Sequence, residues 1–135
     1  MKVVLDTNVL IAAFATQGLC HALLEVCVDQ HEIVLSEQIL KEFTSNLERK
    51  LKVPSRVVES AVQFLKDHSS IRKAGKLQRR VSRDAADDYV LSLAAEQEAD
   101  YVITGDQDLL VLKKYEKAQI VLPRDFWEML RKKKT

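Results

Sequence analysis

A chain of 135 residues, 47% of them apolar, is the size of one domain and long enough to bury a single core. Its 21 Lys and Arg stand against 20 Asp and Glu, a formal net charge of +1, so bulk charge argues neither for nucleic acid nor for a membrane. No apolar run reaches the roughly 20 residues that a bilayer span needs, so no membrane contact is expected.

The N-terminus, MKVVLDTNVLIAAFATQG, has the look of a short secretion signal, but Asp6 interrupts its apolar run and no small-residue cleavage site follows. Val3 to Leu5 reads as a first strand. Cys20 and Cys27 fall in a segment with helical spacing. Seven residues of helix put them about 10 Å apart, beyond the ~7 Å limit for a disulfide. Two reduced thiols and a cytoplasmic location are therefore expected.

Ile33 to Leu35 reads as a second strand, and Ser36 as the N-cap of a helix whose Ile39, Leu40, Phe43, Leu47 and Leu51 recur at three- and four-residue intervals. Pro54 breaks the chain. Ser55 is then expected to cap another helix, with Val57, Val58, Ala61, Phe64 and Leu65 as its inner stripe, fading near His68. Ser69 to Arg83 reads as irregular, with Ile71 as its one candidate strand position.

A further helix should start in the acidic turn Asp84 to Asp88, where carboxylates suit the positive helix end, and carry Leu91, Ala94 and Ala95 inward. Tyr101 to Ile103 and Ile120 to Leu122 are the remaining apolar runs, and a last helix follows Pro123. All four runs are rich in Val and Ile and lack polar alternation, as in strands covered on both faces. Strands alternating with helices make the class α/β with a parallel sheet. No repeat or linker divides the chain, which reads as one domain over residues 1–130 with a basic tail at 131–135.

In open parallel sheets, ligands bind beyond the carboxyl ends of the strands, and Asp6 and Asp106 stand there, after VVL and YVITG. Each has a competing reading: Asp6 as a helix cap, Asp106 and Asp108 as turn formers beside Gly105. Acids recurring after several strands favour a shared site, because gathered like charges repel unless a cation neutralises them, and carboxylate oxygens prefer hard cations such as Mg²⁺ and Mn²⁺. Glu42 lies outside the main stripe of its helix, and periodicity alone leaves it solvated. Asp84, Asp87 and Asp88 exceed what one helix cap requires.

Other chemistries find little support. His21, His31 and His68 show no zinc-ligand spacing, and no Walker A pattern occurs. Three glycines cannot build the GxGxxG turn of a dinucleotide site. A phosphatase with an aspartate nucleophile at Asp6 would need a second acid at position 8, which is Asn8.

LDTNVLI, SEQILKEF, DAADDYVLSLAAEQEADYVITGDQDLL and LPRDFWEML, in this order and spacing, resemble the PIN-domain nucleases, above all the small prokaryotic PIN proteins that include VapC-type toxins. The resemblance spans nearly the whole chain. It implies a Rossmann-like three-layer α/β/α sandwich around a parallel sheet. It also implies an Mg²⁺- or Mn²⁺-dependent endoribonuclease that leaves 5′-phosphate and 3′-hydroxyl ends and serves as the toxin of a toxin-antitoxin pair. An antitoxin protein and assembly as a homodimer or higher homo-oligomer come with the same resemblance.

Carried over residue by residue, the family's four acids fall on Asp6, Glu42, Asp88 and Asp106, as both catalytic residues and metal ligands. Asp87 competes with Asp88, which is preferred for its distance from the Thr104-Gly105-Asp106 turn and its shared face with Leu91 and Ala95. Thr7, Asn8, Asp87, Thr104 and Asp108 are expected as auxiliary contacts. Arg72, Lys73, Lys76, Arg79, Arg80 and Arg83, uninterrupted by any acid, offer a phosphate track for RNA, or else a solvated basic loop or a counterweight to an acidic antitoxin or to the site's own acids. Two other functions suit the same fold: RNA processing, and RNA binding without cleavage.

Overall fold

A computed structural model describes residues 1–73 and 85–133. In chain order the elements are β1 (Lys2–Leu5), α1 (Thr7–Ala15), α2 (Leu19–Gln30), β2 (Glu32–Ser36), α3 (Glu37–Arg49), α4 (Ser55–His68), β3 (Ser69–Arg72), α5 (Ala85–Glu96), β4 (Tyr101–Ile103), α6 (Gln107–Leu110), β5 (Lys114–Tyr115), β6 (Ala118–Val121) and α7 (Pro123–Lys133). The six strands form one sheet in the order β3-β2-β1-β4-β6-β5, parallel throughout except for β5, which runs antiparallel to β6.

Successive side chains on a strand face opposite ways, yet Val3, Val4 and Leu5 are all buried, as are Ile33 to Leu35 and Tyr101 to Ile103. Both faces of the central strands are therefore covered, which explains their unbroken apolar runs. The result is the expected α/β sandwich. α1 packs on α2 and α3, α3 on α4, α2 on α7, and α5 against β1 and β5.

The chain begins in the middle of the sheet. It moves outward from β1 through α1 and α2 to β2, then through α3 and α4 to β3, and later returns to lay β4 on the other side of β1. The boundary between β1 and β4 is thus a topological switch point, where the connections leave in opposite directions and open a crevice. The β1–β4 ladder extends to the end of β1, with the Asp6 amide donating to the Ile103 carbonyl at 3.0 Å.

α3 starts as anticipated: the Ser36 hydroxyl accepts the Ile39 amide at 3.0 Å, and Ile39, Leu40, Phe43 and Leu47 are buried. Leu51 lies past the helix end and is exposed. Ser55 is the first residue of α4 rather than its cap; Pro54 takes that place, its carbonyl accepting the Val57 and Val58 amides. The inner stripe of α4 is Val58, Ala61 and Leu65, while Val57 and Phe64 face outward. Ser69 to Arg72, at the start of the stretch expected to be irregular, pairs with β2 as an edge strand. The run expected at Ile120 to Leu122 is β6, shifted to Ala118–Val121, with Gln119 and Leu122 exposed, so that it is not covered on both faces; α6 and β5 are additions to the expected elements.

Cys20 and Cys27 are free thiols on α2, and burial pushes that of Cys27 up to about 12. Among the described residues no single helix is long and apolar enough to cross a membrane.

Candidate active site

Asp6 ends β1 and caps α1: its Oδ1 accepts the Thr7 amide at 2.8 Å. At 8% exposure, it is a buried carboxylate. Its other oxygen, Oδ2, accepts the Thr104 hydroxyl at 2.7 Å, and the oxygen of that hydroxyl accepts the Asp106 amide at 3.0 Å. Because the Asp106 N–H can only donate, the single hydroxyl proton of Thr104 is free to serve Asp6. Thr104 thus ties the end of β4 to the end of β1.

Asp106 repeats the arrangement one strand over, with its Oδ1 accepting the Asp108 amide at 2.9 Å at the start of α6. Glu42 approaches from the second turn of α3. Its Oε2 accepts the Thr7 hydroxyl at 3.1 Å and its Oε1 the Gln38 amide at 3.2 Å. Gln38 escaped the sequence reading; its position one turn before Glu42 is the signal that could have found it.

Burial holds the Asp6 carboxyl above its ordinary value near 3.8, opposed by the bonds from Thr104 and Thr7, and the charges of Asp106 and Glu42 push it the same way as burial. Three of the expected acids therefore act on one another at the switch point. Asp88 is half-buried in the first turn of α5 and is not among the charges that act on Asp6. The Asp87 side chain lies outside the described residues. Of the auxiliary candidates, Thr7 and Thr104 are buried and bonded to the acids, Asp108 presents its amide to Asp106, and Asn8 is exposed.

Among the described residues, no three acids, histidines or cysteines converge closely enough to hold a metal ion as they stand. Each of the three acids is instead held by hydrogen bonds within the chain. Asp6 and Asp106 each commit Oδ1 to a helix start, and both Glu42 oxygens are engaged by Thr7 and Gln38. The donor set nevertheless suits a hard divalent cation, being all oxygen and self-repelling.

Arg72 ends β3 and Lys73 follows it, both exposed at the same carboxyl edge of the sheet as the acids. Lys76, Arg79, Arg80 and Arg83 lie outside the described residues. The histidines serve elsewhere: the His21 ring meets Glu25 at 2.7 Å, and His68 packs on Phe64.

Comparison with curated proteins finds no sequence match. Among solved structures, the fold is similar to that of VapBC2 from Rickettsia felis, solved bound to a DNA fragment from its promoter, with a TM-score of 0.66 at 15% identity over 90% of this chain and 98% of the other. It is also similar to VapC20 of Mycobacterium tuberculosis, a Sarcin-Ricin loop cleaving toxin, with a TM-score of 0.60 at 13% identity over 87% of this chain and 98% of the other. The family model of the PIN domain matches residues 2–108, a span that runs from β1 through Asp106, and the chain belongs to the PIN-domain family.

Proposed function

We propose that the protein is a metal-dependent endoribonuclease and the toxin of a toxin-antitoxin pair, with Asp6, Glu42, Asp88 and Asp106 as its catalytic acids. The observation that carries this reading is the buried Asp6 held against the charges of Asp106 and Glu42 at the switch point. Such crowding is costly to a fold and useful to a cation site. Membership of the PIN-domain family and likeness to a Sarcin-Ricin loop cleaving toxin point the same way, and the likeness to VapBC2 supports an antitoxin partner.

Asp6, Asp106 and Glu42 would hold Mg²⁺ or Mn²⁺, with Asp88 joining them from α5. A cation held there would supply polarisation of the scissile phosphate and acidification of a water. The chain's own part is positional: Thr104 fixes Asp6, the starts of α1 and α6 fix Asp6 and Asp106, and Thr7 and Gln38 steady Glu42.

The test is cleavage of single-stranded RNA with Mn²⁺ or Mg²⁺ added, and with chelator in their place. Wild-type protein should cut only with metal, whereas Asp6→Asn and Asp106→Asn should lose cleavage while keeping their fold by melting. Full activity in both variants would sink the assignment.

A further inference from the structure

Beside Glu42 lies a cavity of about 300 Å³ that is separate from the acids, lined by Ser36, Glu37, Gln38, Lys41, Lys73 and Tyr89. Its walls come from three elements: the first turns of α3, the residue after β3, and the first turns of α5. Lys41 and Lys73 are exposed and Tyr89 is half-buried. The lining holds two lysines and one carboxylate, Glu37, a positive formal balance beside an acidic centre. The Ser36 hydroxyl is committed to capping α3.

Gln38 belongs to both places. It lines the cavity and donates to Glu42 Oε1 at 3.2 Å, so cavity and acidic centre are one side chain apart. An RNA strand whose scissile phosphate reaches the acids meets repulsion from them, and this cavity, one side chain away, offers its backbone cations among the described residues. A tyrosine there adds what a lysine pair lacks, an aromatic surface on which a base can stack. A volume of about 300 Å³ lies at the low end for small-ligand sites and suits one nucleotide rather than a folded element.

From this we infer that the cavity is a subsite for the nucleotide flanking the scissile phosphate, with Lys41 and Lys73 on the phosphate and Tyr89 on the base. The inference rests on the ribonuclease reading above and adds Lys41 and Tyr89 to the residues that meet RNA.

Binding of an octaribonucleotide, followed by fluorescence anisotropy in the Asp6→Asn background to prevent cutting, tests it. Removing two phosphate contacts from a single strand should flatten the dependence of log affinity on log salt by about 1.4 in Lys41→Gln/Lys73→Gln. Tyr89→Leu should weaken binding about fivefold or more at unchanged salt slope. Tyr89→Phe, which keeps the ring, should bind as the parent does, and an octamer of abasic sugar-phosphate should not distinguish Tyr89→Leu from the parent. Lys66→Gln, an exposed change on α4, is the control.

Lysine variants matching Lys66→Gln would overturn the subsite while leaving the nuclease reading intact, provided wild type still cuts RNA. Lysine variants that act while Tyr89→Leu is silent would leave a phosphate contact with no base in the cavity and overturn the nucleotide subsite. Failure of wild type to bind or cut RNA at all would remove both readings together.

Discussion

Replacing Thr104 with Val removes a buried hydroxyl at nearly constant volume, so its effect isolates the hydrogen bonds that join β4 to β1. One is the 2.7 Å bond to the Asp6 carboxylate, and bonds to charged groups contribute about 1.5–3 kcal/mol. The other comes from the part-buried Asp106 amide at 3.0 Å, an ordinary bond of about 0.5–1.5 kcal/mol. The variant should therefore lose about 2–4 kcal/mol near neutral pH, a large share of the ~5–15 kcal/mol of a typical domain. Thr104→Ser keeps both bonds and should lose only about 1 kcal/mol, for the missing methyl.

The pH dependence follows from the same contacts. Burial and two neighbouring charges raise the Asp6 pKa, and Thr104 pulls it down, so the variant's Asp6 should lie higher still. A carboxyl raised in the folded state favours folding below its ordinary value near 3.8 and costs stability as pH rises through its folded value. The gap between Thr104→Val and wild type should thus be widest near neutral pH and narrow in acid. Urea unfolding at pH 7 and pH ~4 measures it. Equal stability at neutral pH, or a gap that ignores pH, would refute the role assigned to Thr104.

Asp6→Asn, besides losing cleavage, should melt higher than metal-free wild type near neutral pH, because its environment disfavours the charge; the advantage should vanish as pH falls below about 3.8, where Asp6 is protonated. Its carboxamide can still accept the Thr7 amide while donating to Thr104, so few hydrogen bonds are forfeited. Calorimetric melting over that pH range decides this, and no gain at pH 7 would contradict it. Ser36→Ala should cost about 1 kcal/mol by chemical denaturation, as the cap of α3 and hence of the helix that carries Glu42.

The central strands and α3 could be read from sequence because their signals are local: unbroken Val and Ile runs, and an N-cap serine before a stripe of period 3.6. β5 and its hairpin turn into β6 could not. The turn residues are Glu116 and Lys117, and Glu116 adopts a φ of 53° that normally calls for Gly or Asn, so the usual turn signature is missing. β3 hid for another reason. Ser69 and Ser70 lack strand character, and pairing with β2, not propensity, makes them a strand. The acids at strand ends were visible as a pattern, whereas Glu42 was not, because its tie to Thr7 spans 35 residues and leaves no periodic trace.

The sequence left open whether Asp6 and Asp106 are helix caps or members of a site, and the geometry makes both of them caps. Capping accounts for one oxygen of each. It does not account for placing two caps on the adjacent strands β1 and β4, for burying one of them, or for turning a third carboxylate toward them from α3. A helix start needs a single acceptor and is served as well by serine, as Ser36 demonstrates for α3. A fold that needed only caps could thus use a neutral side chain at residue 6 and avoid the burial of charge, and with it the repulsion, that raise its pKa. The charge retained there is the part of the arrangement that stability does not explain, and a bound cation would turn that repulsion into attraction.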